Sequence, residues 1–201
     1  LKDGLRYIHH HDFIKTLFIF CGFYFVLVTP VAFLTPLQTT RSYGSDVWRL
    51  TAIEVAFSGG MMIGGLLIAS WGGFKNKLYS MTLSLLVNGV LVLALGLIPP
   101  FWLYLALMAF MGLSMPLFNT PFTVLLQEKV DEAYLGRVFS VFSMISTSVM
   151  PIAMLVFGPL ADTMRIEWML LVSGAFMLVE GWIMIRNKRL LKAGASIRTQ
   201  G

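Results

Sequence analysis

Residues 78–127 read LYSMTLSLLVNGVLVLALGLIPPFWLYLALMAFMGLSMPLFNTPFTVLLQ, 50 consecutive positions without an Asp, Glu, Lys or Arg. A helix on a soluble protein keeps a wet face and does not run this far without a charge. One bilayer crossing needs about 20 apolar residues, so the stretch holds two. Pro99 and Pro100 stand at its middle. Proline cannot continue a helix and pushes its predecessor toward an extended conformation, so the segment reads as helix, tight turn, helix.

Charge-free stretches on either side extend the pattern: 16–40, 55–74, 138–161 and 168–179, the last continued by 181–185 after Glu180. They predict six membrane helices at 13–37, 50–72, 78–98, 101–126, 137–161 and 167–186. Trp48, Trp71, Trp102, Trp168 and Trp182 fall at or near their ends, where interfacial tryptophans anchor. The fold class expected is an all-α membrane protein, a six-transmembrane-helix bundle over residues 13–186. Residues 1–12 precede it and residues 187–201 form a tail.

The basic residues set the orientation. With six crossings both ends share one side, and that side holds twelve of the fifteen Lys and Arg; the other holds only Arg41, Arg49 and Arg165. Lys and Arg concentrate in cytoplasmic loops, so both termini are expected in the cytoplasm. The same rule accounts for the net charge of +5, and no charge-rich block is long enough to track a phosphate backbone, which argues against nucleic acid. The hydrophobic fraction is 57% and the charged fraction 12%, about half the charged share of soluble domains. Residues 1–12 lack the apolar core and cleavage site of a signal peptide, and the opening Leu1 suggests a natural start further upstream. The single Cys21 excludes an internal disulfide.

Several helices carry marks of close packing or of polar function. Ala56, Gly60 and Gly64 form one row of small residues and Gly65, Ala69 and Gly73 a second. Such rows let backbones approach, either for plain packing or as a sliding surface. Pro30 and Pro36, Pro116 and Pro121, and Pro151 and Pro159 lie inside three expected helices, where they free backbone carbonyls. Asn119, between two of them, reads either as a polar group facing a cavity or as an interhelical hydrogen bond. Ser80, Ser84 and Asn88 make a polar stripe expected to face other helices. Ser143 and Thr147, with Ser140 adjoining, make another that reads as packing or as a wet path. Glu54 either pairs with Arg49, snorkels to the interface, or has a role in proton or cation coupling. Glu180 is expected to reach the basic residues near Arg186. His9, His10 and His11 read as solvated imidazoles rather than a metal site. No phosphate-binding loop and no membrane-hydrolase signature occurs, so neither an ATP-driven motor nor an enzyme is expected.

Three stretches stand out in order: residues 1–8, LKDGLRYI; residues 127–138, QEKVDEAYLGRV; and residues 158–162, GPLAD. Together they resemble the C-terminal six-helix half of a major facilitator superfamily transporter, and within that family bacterial drug exporters of the macrolide-efflux type. Residues 1–8 resemble the end of the central cytoplasmic linker. Residues 127–138 resemble the cytoplasmic loop in which a Gly-Arg pair, here Gly136-Arg137, opens the next helix. Residues 158–162 resemble the outer end of the eleventh helix. The signature loop of the family departs here: residues 65–77 keep the glycines and a basic end but have lost the acid, so Lys75 and Lys77 retain only an anchoring role.

The resemblance implies one half of a twelve-helix fold, with an N-terminal six-helix half on the same polypeptide, in the bacterial cytoplasmic membrane. It implies a proton-coupled antiporter that exports a small hydrophobic drug, such as a macrolide, by alternating access and without a cofactor. Its substrate cavity would be lined from the first, second, fourth and fifth helices by Phe25, Thr29, Gln38, Met61, Met62, Phe118, Asn119, Phe122, Met144 and Thr147, with Glu54 as the proton-coupling candidate. The alternative is a non-transporting membrane scaffold or assembly subunit with the same fold.

Overall fold

The computed structural model describes residues 2–194. Among them are α1 (Lys2–His10), α2 (Asp12–Tyr43), α3 (Val47–Trp71), α4 (Lys77–Gly96), α5 (Phe101–Lys129), α6 (Glu132–Thr163), α7 (Ile166–Arg186) and α8 (Lys188–Ala193). Helices α2 to α7 are each long and apolar enough to cross a membrane. Hydrocarbon offers no partner to a peptide group, so the helix, which bonds its backbone internally, is the form such segments take.

Six helices of membrane length are present, and their bounds differ from those read in the sequence: α3 and α4 end at Trp71 and Gly96, short of 72 and 98, while α2, α5 and α6 run longer. Helix α2 continues past Pro36 to Tyr43, and stops where Gly44 turns to a φ of +104°. Thr29, Thr35 and Thr39 are buried on α2, and each donates its hydroxyl to the carbonyl four residues earlier, which hides a polar group within its own helix. The turn 72–76 is capped on both sides. Gly72, left-handed, closes α3 through its N–H to Ile68 O, and Asn76 accepts from the Leu78 N–H to open α4. The segment before the bundle is itself helical, as α1. The tail includes α8, tied back by Asn76 Nδ2 donating to Leu191 O at 2.8 Å; Arg198 lies outside the described residues.

The packing order forms an arc: α3 lies on α5, α5 on α4, α4 on α7, α7 on α2, and α2 on α6. Exchanging α2, α3 and α4 for α5, α6 and α7 maps every one of these pairs onto another or onto itself. The fold is therefore two three-helix units of inverted direction, since α2 starts at the end rich in Lys and Arg and α5 starts at the opposite end. The pairing leaves α3 and α6 at the two ends of the arc, and they are the least buried of the six.

Two seams bring backbones together. A Cβ on Gly60 would overlap Ala109 O, one on Gly64 would overlap Leu113 O, and one on Gly112 would overlap Phe57 O, so α3 and α5 meet peptide to peptide. Between α4 and α7, a Cβ on Gly174 would sit 2.9 Å from Gly89 O, while Gly181 makes room for a side chain, since its Cβ would sit 2.8 Å from Leu86 Cδ2. The second row read from the sequence is not a seam: Gly65 faces open space, and Gly73, in the turn after α3, meets only the side chains of Ser80 and Ile68. The Ser84–Asn88 stripe does face a neighbour. Ser84 Oγ donates to Ser114 O at 2.7 Å, Ser114 Oγ donates to Asn88 Oδ1 at 2.7 Å, and Asn88 Nδ2 donates to Ser84 Oγ at 3.3 Å. This closed triangle joins α4 to α5 with no polar atom left over.

Gly60→Ala forces α3 off α5 and is expected to lower stability by about 1–3 kcal/mol. Gly59→Ala, whose methyl meets open space, is the neutral control. Thermal unfolding of the purified full-length protein in detergent checks both, and an unchanged Gly60→Ala would refute the seam.

Candidate functional site

A cavity of about 170 Å³ opens between α2, α3 and α5, lined by Val28, Val31, Ala32, Thr35, Glu54, Phe57, Met108, Met111 and Met115. Met108, Met111 and Met115 fall at helical spacing on one face of α5, which aims three thioethers at the same space. Glu54, an exposed residue of α3, is the sole charged side chain of the wall. It is not paired with Arg49, as one reading of the sequence had it: Arg49 binds Asp46 at 3.3 Å and lies against the rings of Trp48 and Phe101. A soft, polarisable wall with one carboxylate accepts an apolar body carrying a positive group and adapts to differing shapes.

The residues expected from the sequence divide into two environments. Phe25, Phe118 and Phe122 are buried and belong to one aromatic cluster with Tyr24, Phe18 and Phe142. Thr29 is buried beside them. Gln38 is buried and committed at both ends, with Nε2 donating to Leu95 O at 3.0 Å and Oε1 accepting from Tyr104 Oη at 3.0 Å. It braces α2 against α4 and α5. Met61, Met62, Asn119, Met144 and Thr147 are exposed on α3, α5 and α6. Of all the residues named in advance, only Glu54 lines the α2–α3–α5 cavity. The methionines opposite it were legible as a helical-spaced triplet in the sequence, but no sequence signal said which face of α5 turned inward.

Exposed polar residues also line up on the two end helices. Thr51, Glu54 and Ser58 lie on one face of α3, and Ser140, Ser143 and Thr147 on one face of α6.

The loop motifs join the end of the bundle rich in Lys and Arg. Lys75 is exposed, and Lys77 Nζ donates to Gly72 O at 2.7 Å, capping α3. Gly136 faces open space at the start of α6, and Arg137 pairs with Asp3 at 3.6 Å and lies over the Tyr134 ring. A Cβ on Gly4 would sit 2.7 Å from Arg137 O, so α1 lies directly on α6. Tyr7 completes the clamp: its hydroxyl donates to Asp131 Oδ2 at 3.1 Å and accepts from the Asp131 N–H at 3.2 Å, and its ring stacks on Tyr134. Burial raises the Tyr7 phenol above its ordinary ionisation range, although the Asp131 backbone bond works the other way. His10 and His11 turn a ring nitrogen to the carbonyls of Arg6 and Tyr7.

Glu180 departs from expectation. It does not reach the basic residues near the end of α7; it is buried against α2, and Arg186 lies over the Trp182 ring instead.

The family model described as Major Facilitator Superfamily matches residues 1–154. The chain is 28% identical over 180 residues to macrolide efflux protein A of Streptococcus pyogenes, covering 89% of this chain and 44% of that protein. It is 30% identical over 156 residues to macrolide efflux protein A of Enterococcus faecalis, covering 77% of this chain and 48% of that one. It is 24% identical over 193 residues to the multidrug efflux pump Tap of Mycolicibacterium fortuitum, covering 94% of this chain and 46% of the pump. The chain thus spans about half the length of the curated relatives it matches. No solved structure matches.

Because Gln38 is a brace, Gln38→Leu is expected to lower stability by about 1–3 kcal/mol, as Leu95 O loses its donor and the Tyr104 hydroxyl its acceptor. Met62→Ala, on an exposed face, is expected to leave the unfolding temperature unchanged. Thermal unfolding of the full-length protein separates the two, and equal behaviour would show that Gln38 does not brace the helices.

Proposed function

The chain belongs to the major facilitator superfamily, a family of transporters and not of enzymes, and on that premise we propose that it is one six-helix half of a secondary transporter that exports hydrophobic drugs such as macrolides. Export is coupled to proton entry and proceeds by alternating access, in which two bundles rock about a site near the bilayer midplane. The efflux proteins it is similar to support the substrate class.

The observation that carries this reading is the polar facing of α3 and α6. Glu54 lies about 10 Å inside its end of α3, and Ser140 to Thr147 lie deeper still in α6. Polar and ionisable groups at membrane depth face protein or water rather than lipid. A second six-helix half set across the ends of the arc covers both stripes. It also completes the site, because a cavity of about 170 Å³ is below the roughly 300–1,000 Å³ of small-molecule pockets. In this arrangement Glu54, Asn119, Met61, Met62, Met144 and Thr147 face the shared space. Phe25, Thr29, Gln38, Phe118 and Phe122 support it from behind, and Glu54 is the candidate proton-coupling acid that drug reaches. The twelve-to-three distribution of Lys and Arg puts residues 1–12 and 187–201 in the cytoplasm, the first as the end of the linker between halves and the second as a tail.

The test is accumulation of a radiolabelled macrolide in drug-sensitive bacteria expressing the complete reading frame, with and without a protonophore. Lower accumulation that the protonophore abolishes is expected. Accumulation equal to that of cells without the gene would remove the macrolide assignment, and lower accumulation that survives the protonophore would remove the proton coupling.

A further inference from the structure

Glu180 is 7% exposed, and its two carboxylate oxygens are the only buried side-chain nitrogen or oxygen atoms among the described residues that lack a hydrogen-bond partner. The polar side chains that join the helices are bonded, Gln38, Ser84, Asn88 and Ser114 among them. A carboxyl inside an apolar membrane helix with no cation beside it is stable only while it carries a proton. The titratable groups that face it are Cys21 and Tyr24 on α2, and neither is a cation. The Tyr24 hydroxyl is directed to Met115 Sδ at 3.5 Å. On the other elements against α7, the charged groups are Lys77 on α4 and Lys188, Arg189 and Lys192 on α8, all at the helix ends. Arg186 on α7 itself is six residues on, about 9 Å along the axis.

The two seams of α7 differ. Against α4 it is interlocked at Gly89, Gly174 and Gly181. Against α2 it has no such interlock, and an apolar groove of about 480 Å³ lies between the two helices, walled by Phe20, Phe23 and Leu27 on one side and Phe176, Val179 and Ile183 on the other. The Glu180 stem reaches this groove while its oxygens remain covered.

We propose that Glu180 is a second proton-carrying site, set in the α2–α7 seam outside the drug cavity, which holds its proton while the seam is closed and gives it up when α2 and α7 part. In that step the carboxyl O–H bond breaks, the proton passes to entering water, and the carboxylate left behind is hydrated. Conversely, the seam closes again only after the acid has been reprotonated. Rocking of the bundle is thereby linked to proton binding at a point the drug does not touch. This role rests on the proton-coupled reading given above; the protonation of Glu180 does not.

Two measurements on the full-length protein test it. A lipid-soluble carbodiimide reacts with protonated carboxyls in apolar surroundings, and mass spectrometry finds the adduct. Labelling of Glu180 in the wild type is expected and should decrease as the pH is raised, since only the protonated carboxyl reacts; Glu180→Gln removes the adduct. No adduct on Glu180 at any pH in folded protein would overturn the proposal, and since no drug is used, a wrong substrate assignment would not affect this result. In proteoliposomes, Glu180→Gln, which stays neutral, is expected to keep drug exchange without a gradient and to lose transport driven by a pH gradient. Loss of both, or of neither, would overturn the coupling role.

Discussion

Contact between peptide groups, with no side chain between them, is the constraint on which the rest of this bundle depends. In lipid, apolar side chains gain nothing by choosing a helix over a hydrocarbon tail, so helices associate where their surfaces fit. Gly60, Gly64 and Gly112 let α3 settle on α5, and Gly89 and Gly174 let α4 settle on α7, where Gly181 leaves room for the Leu86 side chain. These two seams fix four of the six spans. Polar groups then finish the joint: the Ser84–Asn88–Ser114 triangle ties α4 to α5, and Gln38 reaches from α2 to α4 and α5.

The two inverted units obey the same pairing rule but not with equal closeness. Where α3 meets α5 through glycine, α6 meets α2 through rings: Phe142 packs against Phe18 and Phe25, and Gly136 and Gly158 approach no backbone of a neighbouring helix. One flank of the arc is thus joined backbone to backbone and the other through side chains. The α2–α7 seam, with its groove, belongs with the second. In the proposed function, alternating access rocks one half against the other about the shared site.

The two carboxylates in the spans fit different tasks because their surroundings differ. Glu54 opens to the cavity opposite Met108, Met111 and Met115, and is free to meet a cationic ligand or water. Glu180 is enclosed by α2 and can exchange a proton only if helices move. At the end rich in Lys and Arg, Tyr7, Asp131, Arg137 and Asp3 fasten α1 to the start of α6.

Six spans and their alternation, the two-proline turn and the asymmetry of Lys and Arg were legible in the sequence, because hydrophobic length and charge act residue by residue and need no partner to be read. The Gly60–Gly64 row was legible for the same reason; small residues at four-residue spacing advertise a face. What the chain could not state is which face meets what. Gly65 heads a row of the same spacing and faces open space, Gln38 looked like a cavity residue and is a brace, and Glu180 looked bound for the surface and is sealed under α2. Rotation of each helix about its axis is set by its neighbours, and those come from distant parts of the chain, so only the tertiary structure decided where each polar group points.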